Sequence, residues 1–145
     1  MNIITVDPNH DLAAICAQMQ PDQWAADNEM TSYQPEALRR FLDKGGILML
    51  AYEGDKIAGA ALCYEIPHPD GEDTLYVHEL DTHPDFRRRG VAKQIMSELF
   101  KLAKERGLHE VWLGADQDNE AANALYKSLS PSEIDPTVTY TYKAQ

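Results

Sequence analysis

The sequence has no long hydrophobic run. Its longest apolar stretch, Ile47 to Tyr52, is far too short to cross a bilayer as a helix, so no membrane association is expected. Cysteine is scarce as well. Cys16 and Cys63 both sit in apolar segments, which argues against a disulfide scaffold and for buried thiols in a reducing compartment. The five histidines are scattered, and no Cys/His spacing resembles a metal site, so no metal is expected. The first residues, Met1-Asn2-Ile3-Ile4-Thr5-Val6-Asp7, lack the basic start and apolar core of a secretory leader, and a cytoplasmic location is expected. Positive charge is in short supply: 13 Lys and Arg stand against 24 Asp and Glu, a formal net charge of −11. That balance disfavours nucleic acid as a partner, because duplex binding relies on broad phosphate neutralisation.

What remains is ordinary globular material. With 43% hydrophobic and 26% charged residues over 145 positions, the chain is expected to form a single domain, residues 1–145, with a proper core. Ile3 to Val6 reads as a strand. Asp7-Pro8 reads as a cap with Pro at the first helical position, before Leu12, Ala13, Ile15, Cys16 and Met19 at helical spacing. Gln20 to Tyr33, with Trp24, Met30 and Tyr33 among polar residues, is irregular and suits a short helix and a loop over a pocket mouth. Gln34-Pro35 opens a second helix, with Leu38, Phe41 and Leu42 on one face and Gly45-Gly46 at its end. Ile47 to Glu53 and Lys56 to Ile66 flank Gly54-Asp55 as a hairpin. After the breaker-rich loop Pro67 to Asp73, Leu75 to Thr82 reads as a third consecutive strand.

A long amphipathic helix follows, with Val91, Ile95, Leu99, Leu102 and Ala103 inward and Gly107 at its end. Val111 to Leu113 reads as a short buried strand. Asp118 to Leu129 reads as a helix with Ala121, Ala122, Leu125 and Leu129 inward, stopped by Ser130-Pro131. Thr137 to Lys143 alternates Val, Tyr and Tyr with Thr, as a final strand would. The order β-α-α-β-β-β-α-β-α-β predicts an α/β (α+β) domain: a mixed central sheet flanked by helices, with a strand–helix–strand crossover that requires parallel pairing.

Charge is unevenly spread. Seven of the 13 basic residues lie between Arg87 and Arg106. Asp85-Phe86-Arg87-Arg88-Arg89-Gly90-Val91-Ala92-Lys93 stands where a strand passes through a turn into a helix N-terminus. There the first amides have no intrahelical partner and the macrodipole favours an anion. Alone, such a turn is more often a solvated basic helix start. Its neighbours decide the reading. Arg87-x-x-Gly90-x-Ala92, after Leu80-Asp81-Thr82-His83-Pro84, resembles the acetyl-CoA signature of the GNAT superfamily of N-acetyltransferases. Asn119-x-x-Ala122-x-x-Leu125-Tyr126 resembles the superfamily's second, Tyr-bearing helix. Tyr76 to Leu80, Gly114-Ala115-Asp116 and Ala124-Leu125-Tyr126 look more narrowly like its aminoglycoside 3-N-acetyltransferase branch. Ser130-Pro131 stands where the family usually has Gly-Phe, which leaves acceptor specificity open.

The resemblance implies acetyl-CoA as donor. The backbone amides from Arg88 to Lys93, Gly90, Val91 and Ala92 included, would hold its pyrophosphate, with charge from Arg87, Arg88 and Arg89. Leu80 and Thr82 would pair with its pantetheine arm, and Asn119 suits either a helix cap or a cofactor contact. Glu79 is the candidate general base, with His78 as runner-up, and Tyr126 is the candidate general acid for the leaving thiolate. In a regular strand Glu79 and Asp81 share one face, while Tyr76, His78 and Leu80 take the other. Asp81 and Asp116 are candidate acceptor-binding carboxylates. The acids Glu65, Asp70, Glu72, Asp73, Asp118 and Glu120 would add attraction for a cation. The expected acceptor is a small cationic amine. A protein N-terminus or lysine is the alternative within enzymes, and a non-catalytic acetyl-CoA-binding module is the alternative outside them. Families of this kind are frequently homodimeric, though no residue here specifies an interface.

Overall fold

A strand buried on both faces reads as a continuous apolar run, and the segment around Leu48 has that character. In the computed structural model, which describes residues 1–24 and 31–144, strand β2 (Gly46–Glu53) is buried at every position from Ile47 to Ala51. Met30 of the expected pocket-mouth loop lies outside the described residues. The chain divides into two compact units, Met1–Gly114 and Ala115–Gln145.

The first unit is built on one five-stranded sheet. Strands β1 (Asn2–Thr5), β2, β3 (Lys56–Ile66) and β4 (Thr74–Thr82) are antiparallel neighbours in that order, and β5 (Glu110–Trp112) pairs parallel to β4. The two-residue turn Gly54-Asp55 joins β2 to β3, with Glu53 facing Lys56. The parallel pair is the expected crossover, carried by helix α3 (Val91–Glu105). Val91, Ile95, Leu99 and Ala103 of α3 are buried, as their spacing requires.

Helices lie on both faces of the sheet. Helix α1 (Leu12–Gln18) and helix α2 (Pro35–Asp43) pack Leu12, Ile15, Cys16 and Leu38 into a cluster with Leu48, Leu50, Ile57 and Ala60. The adjacent Gly59 meets α3 instead: a Cβ there would stand 2.6 Å from Val91 Cγ1. Successive strand residues point to opposite faces, so α1 and α2 cover one side and α3 the other.

Several expectations are corrected. Helix α1 starts at Leu12, not after Asp7. Asp11 Oδ1 accepts from Ala14 N at 3.0 Å, while Asp7 Oδ1 takes Asn9 N at 2.7 Å in a separate turn. Strand β5 is not buried, because it is the outer strand of its sheet and leaves Trp112 46% exposed. In the second unit, helix α4 (Glu120–Ser128) buries none of its residues, Ala121 included. After it Ser130 adopts φ 57°, and residues 131–144 form neither helix nor strand. The expected last strand over 137–143 is thus not formed. Alternation supplies propensity, but a strand also needs an edge to bond.

Candidate active site

Strand β4 is irregular where the sequence placed its chemistry. Its register against β3 runs Tyr64↔Tyr76, Cys63↔Val77, Leu62↔Glu79 and Ala60↔Asp81, so His78 is an extra residue in a β-bulge. Directly opposed residues share a face. Glu79 and Asp81 therefore share one face, as expected, but the bulge brings Tyr76 and Tyr64 onto that same face. His78 joins them, its ring 5.6 Å from Tyr76 and 5.8 Å from Tyr64. The expected separation of Tyr76 and His78 from the carboxylates is corrected by this one inserted residue. Leu80 does take the opposite face, opposite Ala61.

The second feature is an open edge. Strand β5 pairs with β4 only over Thr74, Tyr76 and the residue between them, Leu75. Beyond Tyr76, β4 continues to Thr82 with no strand of the described residues beside it on that side. His83 N donates to Ala58 O at 2.8 Å, toward β3. Backbone groups alternate direction along a strand, so Leu80 and Thr82 turn their N–H and C=O groups away from β3, to the open edge. An extended, amide-bearing ligand can add there as a strand would.

The third feature is the turn that follows. His83 Nδ1 accepts from Asp85 N at 3.2 Å, opening a short 3-10 turn, Pro84–Phe86. Arg88 (φ 62°) and Gly90 (φ 77°) are both left-handed, flanking Arg89, and α3 begins immediately after Gly90. Such handedness changes turn successive N–H groups into one concavity, an anion nest. No side chain caps α3, so its first amides point outward beside Arg87, Arg88, Arg89 and Lys93. Phe86 is buried and supports Arg89, whose guanidinium carbon lies 5.3 Å from the ring centroid. A nucleotide-bearing thioester fits this donor set: a nest and uncapped helix start for a pyrophosphate, and the β4 edge for an amide-containing arm.

Sequence reasoning missed Tyr33 as a site residue. Burial raises its hydroxyl far above the ordinary tyrosine range, and the Glu79 and Asp81 carboxylates it faces raise it further. It stays a neutral phenol beside two carboxylates. The only prior signal was an aromatic in a polar stretch. Also missed was a row of rings on the same sheet face. Tyr64 stacks on Tyr76 at 6.5 Å, and Tyr76 on Trp112 at 4.3 Å. Their positions on three strands share a face only through the register and bulge, which no local pattern announces.

The acidic loop residues are largely engaged close to home. Glu65 Oε2 accepts from Arg106 at 3.0 Å, Asp70 lies 2.7 Å from His68, Glu72 3.6 Å from His109, and Asp73 accepts from His68 N at 2.8 Å. Glu79 and Asp81 share the sheet face that Tyr33 adjoins. In the second unit Asn119 caps α4, its Oδ1 accepting from Ala122 N at 3.1 Å. Asp116 O accepts from Asn119 N and from Asn123 Nδ2, and the Asp116 side chain is exposed. Tyr126 is half-buried on α4.

Known proteins share this fold. A solved aminoglycoside acetyltransferase from an uncultured soil metagenomic sample, in complex with sisomicin, superposes with a TM-score of 0.86. Identity is 19%, and the match covers 99% of this chain and 96% of that one. An aminoglycoside N-acetyltransferase in complex with CoA gives a TM-score of 0.70 at 16% identity, covering 99% of this chain and all of that one. Among curated proteins, the alanine N-acetyltransferase of ribosomal protein bS18 from Salmonella typhimurium is 36% identical over 74 residues, 51% of this chain and 49% of that protein. The chain spans roughly half the length of the curated relatives it matches. The model of the acetyltransferase (GNAT) family matches residues 13–130, most of the chain and both units, and the chain belongs to that family.

Proposed function

We propose that the protein transfers the acetyl group of acetyl-CoA directly to a primary amine of a small cationic acceptor, aminoglycoside- or polyamine-like. One observation carries the reading. The open edge of β4 runs straight into the left-handed turn at the start of α3, while Glu79 and Asp81 stand on the adjoining sheet face. When bound, acetyl-CoA supplies a thioester carbonyl that an amine nitrogen can attack. Amides of residues 88–93, Ala92 and Lys93 among them, hold its pyrophosphate, assisted by Arg87, Arg88 and Arg89. The Leu80 and Thr82 backbone pairs with its arm, and an amide there polarises the carbonyl.

Glu79, directly or through one water, takes the proton of the acceptor ammonium and leaves a nucleophilic amine. As the C–N bond forms and the C–S bond breaks, Tyr126 donates its hydroxyl proton to the sulfur, and the proton that the new amide nitrogen sheds passes through water to restore the phenol. Its role rests on the resemblance of Asn119-x-x-Ala122-x-x-Leu125-Tyr126 to the Tyr-bearing helix of the GNAT superfamily. Asp81 and Asp116 attract the rest of a cationic acceptor, and Tyr33 hydrogen-bonds it as a neutral phenol. A reducing compartment, the cytoplasm, fits the two free, buried cysteines. Glu79→Gln and Tyr126→Phe each lower acetyl transfer at least about tenfold. Thermal stabilisation by acetyl-CoA stays near that of the wild type. Normal rates in both variants would remove the mechanism. No stabilisation by acetyl-CoA would remove the enzyme reading altogether.

A second reading, acetylation of a protein N-terminus, is favoured by the 36% identity to the bS18-alanine acetyltransferase. An acidic surface suits a cationic peptide equally well, and an acceptor screen separates the two.

A further inference from the structure

The turn at the start of α3 has an anchor that the chemistry above does not use. Pro84 has no N–H, so the first donor its 3-10 turn must satisfy is Asp85 N, and His83 Nδ1 takes it at 3.2 Å. A backbone amide can only donate, so Nδ1 carries a lone pair there. The His83 main chain is tied as well: its N donates to Ala58 O at 2.8 Å and its O accepts from Phe86 N at 2.9 Å. The three arginines of the turn are exposed, but the His83 side chain is only 15% exposed. Its ring stands edge-on to two buried rings, 5.4 Å from Trp24 and 5.7 Å from Phe86. Trp24 is itself fixed, its Nε1 donating to Gln18 O of α1 at 3.0 Å, and Phe86 carries the Arg89 guanidinium. Contacts thus run unbroken from α1 through His83 to an arginine of the turn.

We propose that His83 is a positioning residue for acetyl-CoA: its Nδ1 lone pair presets the turn from Pro84 to Gly90, so that the nest amides and Arg89 meet the pyrophosphate without rearranging. The inference rests on the reading that residues 88–93 hold that pyrophosphate. A nest binds well when its N–H groups already converge, because ordering a loop at the moment of binding costs affinity. Asp85 is exposed, so losing the acceptor hands its N–H to water. The fold then loses little, while the turn is free to vary. The ring and the lone pair therefore do different work. The ring packs against Trp24 and Phe86 and serves stability, and the lone pair serves the geometry of the turn.

Calorimetric titration of the full chain with acetyl-CoA tests it, using two variants that divide the side chain. His83→Asn keeps an acceptor for the amide two residues on, as an Asx turn does, and loses the ring. His83→Phe keeps a ring against Trp24 and Phe86 and loses the acceptor. We expect the dissociation constant of the Asn variant to stay within about twofold of wild type, and that of the Phe variant to rise about fivefold, the size of one net hydrogen bond. Urea midpoints should take the reverse order, with Asn falling further than Phe, a pattern that a merely structural role cannot produce. Wild-type affinity in the Phe variant overturns the proposal. Equal weakening in both variants overturns it too, and makes His83 a packing residue. S-acetylpantetheine, the arm without the pyrophosphate, separates this inference from the reading beneath it. Wild type and the Phe variant should bind that fragment alike, and a fivefold deficit there would overturn the link to the pyrophosphate. A wild type that binds the fragment as tightly as acetyl-CoA removes the pyrophosphate cradle itself, and the inference with it.

Discussion

Glu79 owes its position to a single inserted residue. Without the bulge at His78, the Tyr76 ring and the two carboxylates would lie on opposite faces of β4. With it, Tyr33, Tyr64, Tyr76, Glu79 and Asp81 share one surface. Tyr33→Phe keeps the ring and removes only the hydroxyl. We expect acetyl-CoA kinetics to be unchanged and KM for the amine to rise about fivefold, the value of roughly 1 kcal/mol for one hydrogen bond. Steady-state rates with each substrate varied in turn check this, and an unchanged amine KM would make Tyr33 a packing residue. The common face of Glu79 and Asp81 was legible in strand alternation. Alternation could not disclose Tyr33 or the ring row, because those depend on which strands pair and in what register.

At the scale of elements, the junction of β3, β4 and α3 holds the account together. Gly59 lets α3 approach the sheet: a Cβ there would overlap Val91 and come within 3.0 Å of Ile95. Gly59→Val therefore displaces the first turn of α3. We expect a loss of about 1–3 kcal/mol in denaturant unfolding, as overpacking typically produces, with weaker acetyl-CoA binding as the nest shifts. Gly90→Val separates the two effects. No atom lies within 4 Å of its Cβ position, so its cost arises from the left-handed backbone, about 1–2 kcal/mol. It acts on the anion nest directly, and KM for acetyl-CoA should rise about tenfold for a turn that must rearrange by that much. These elements were legible because periodicity and punctuation agreed: Pro35 begins α2, Gly107 follows the last turn of α3, and Gly54-Asp55 joins two apolar runs. Where competing signals stood close together, as with Asp7 and Asp11, the wrong carboxylate looked like the cap. Where a strand depended on a distant edge, as over 137–143, its alternation alone misled.

For the whole molecule, acidity and buried thiols set the behaviour in solution. No helix among the described residues is long and apolar enough to cross a membrane. Cys63 is fully buried, and burial pushes its thiol up to about 12. A folded-state value raised above the unfolded one contributes stability that is complete below the unfolded value, near 9, and is lost as pH rises toward 12. The melting temperature should therefore fall over that alkaline window, less steeply in Cys63→Ala. The same burial makes both thiols slow toward a thiol reagent until the chain unfolds, so released coenzyme can be read against a silent background.

That background permits the decisive measurement: thiol release from acetyl-CoA by the wild-type protein, across an aminoglycoside, a polyamine and a peptide with a free N-terminus. The account predicts saturable release that depends on a small cationic amine, with one acetyl group added to that amine by mass. Release with the peptide alone, or none with any amine while the protein remains folded, would contradict it.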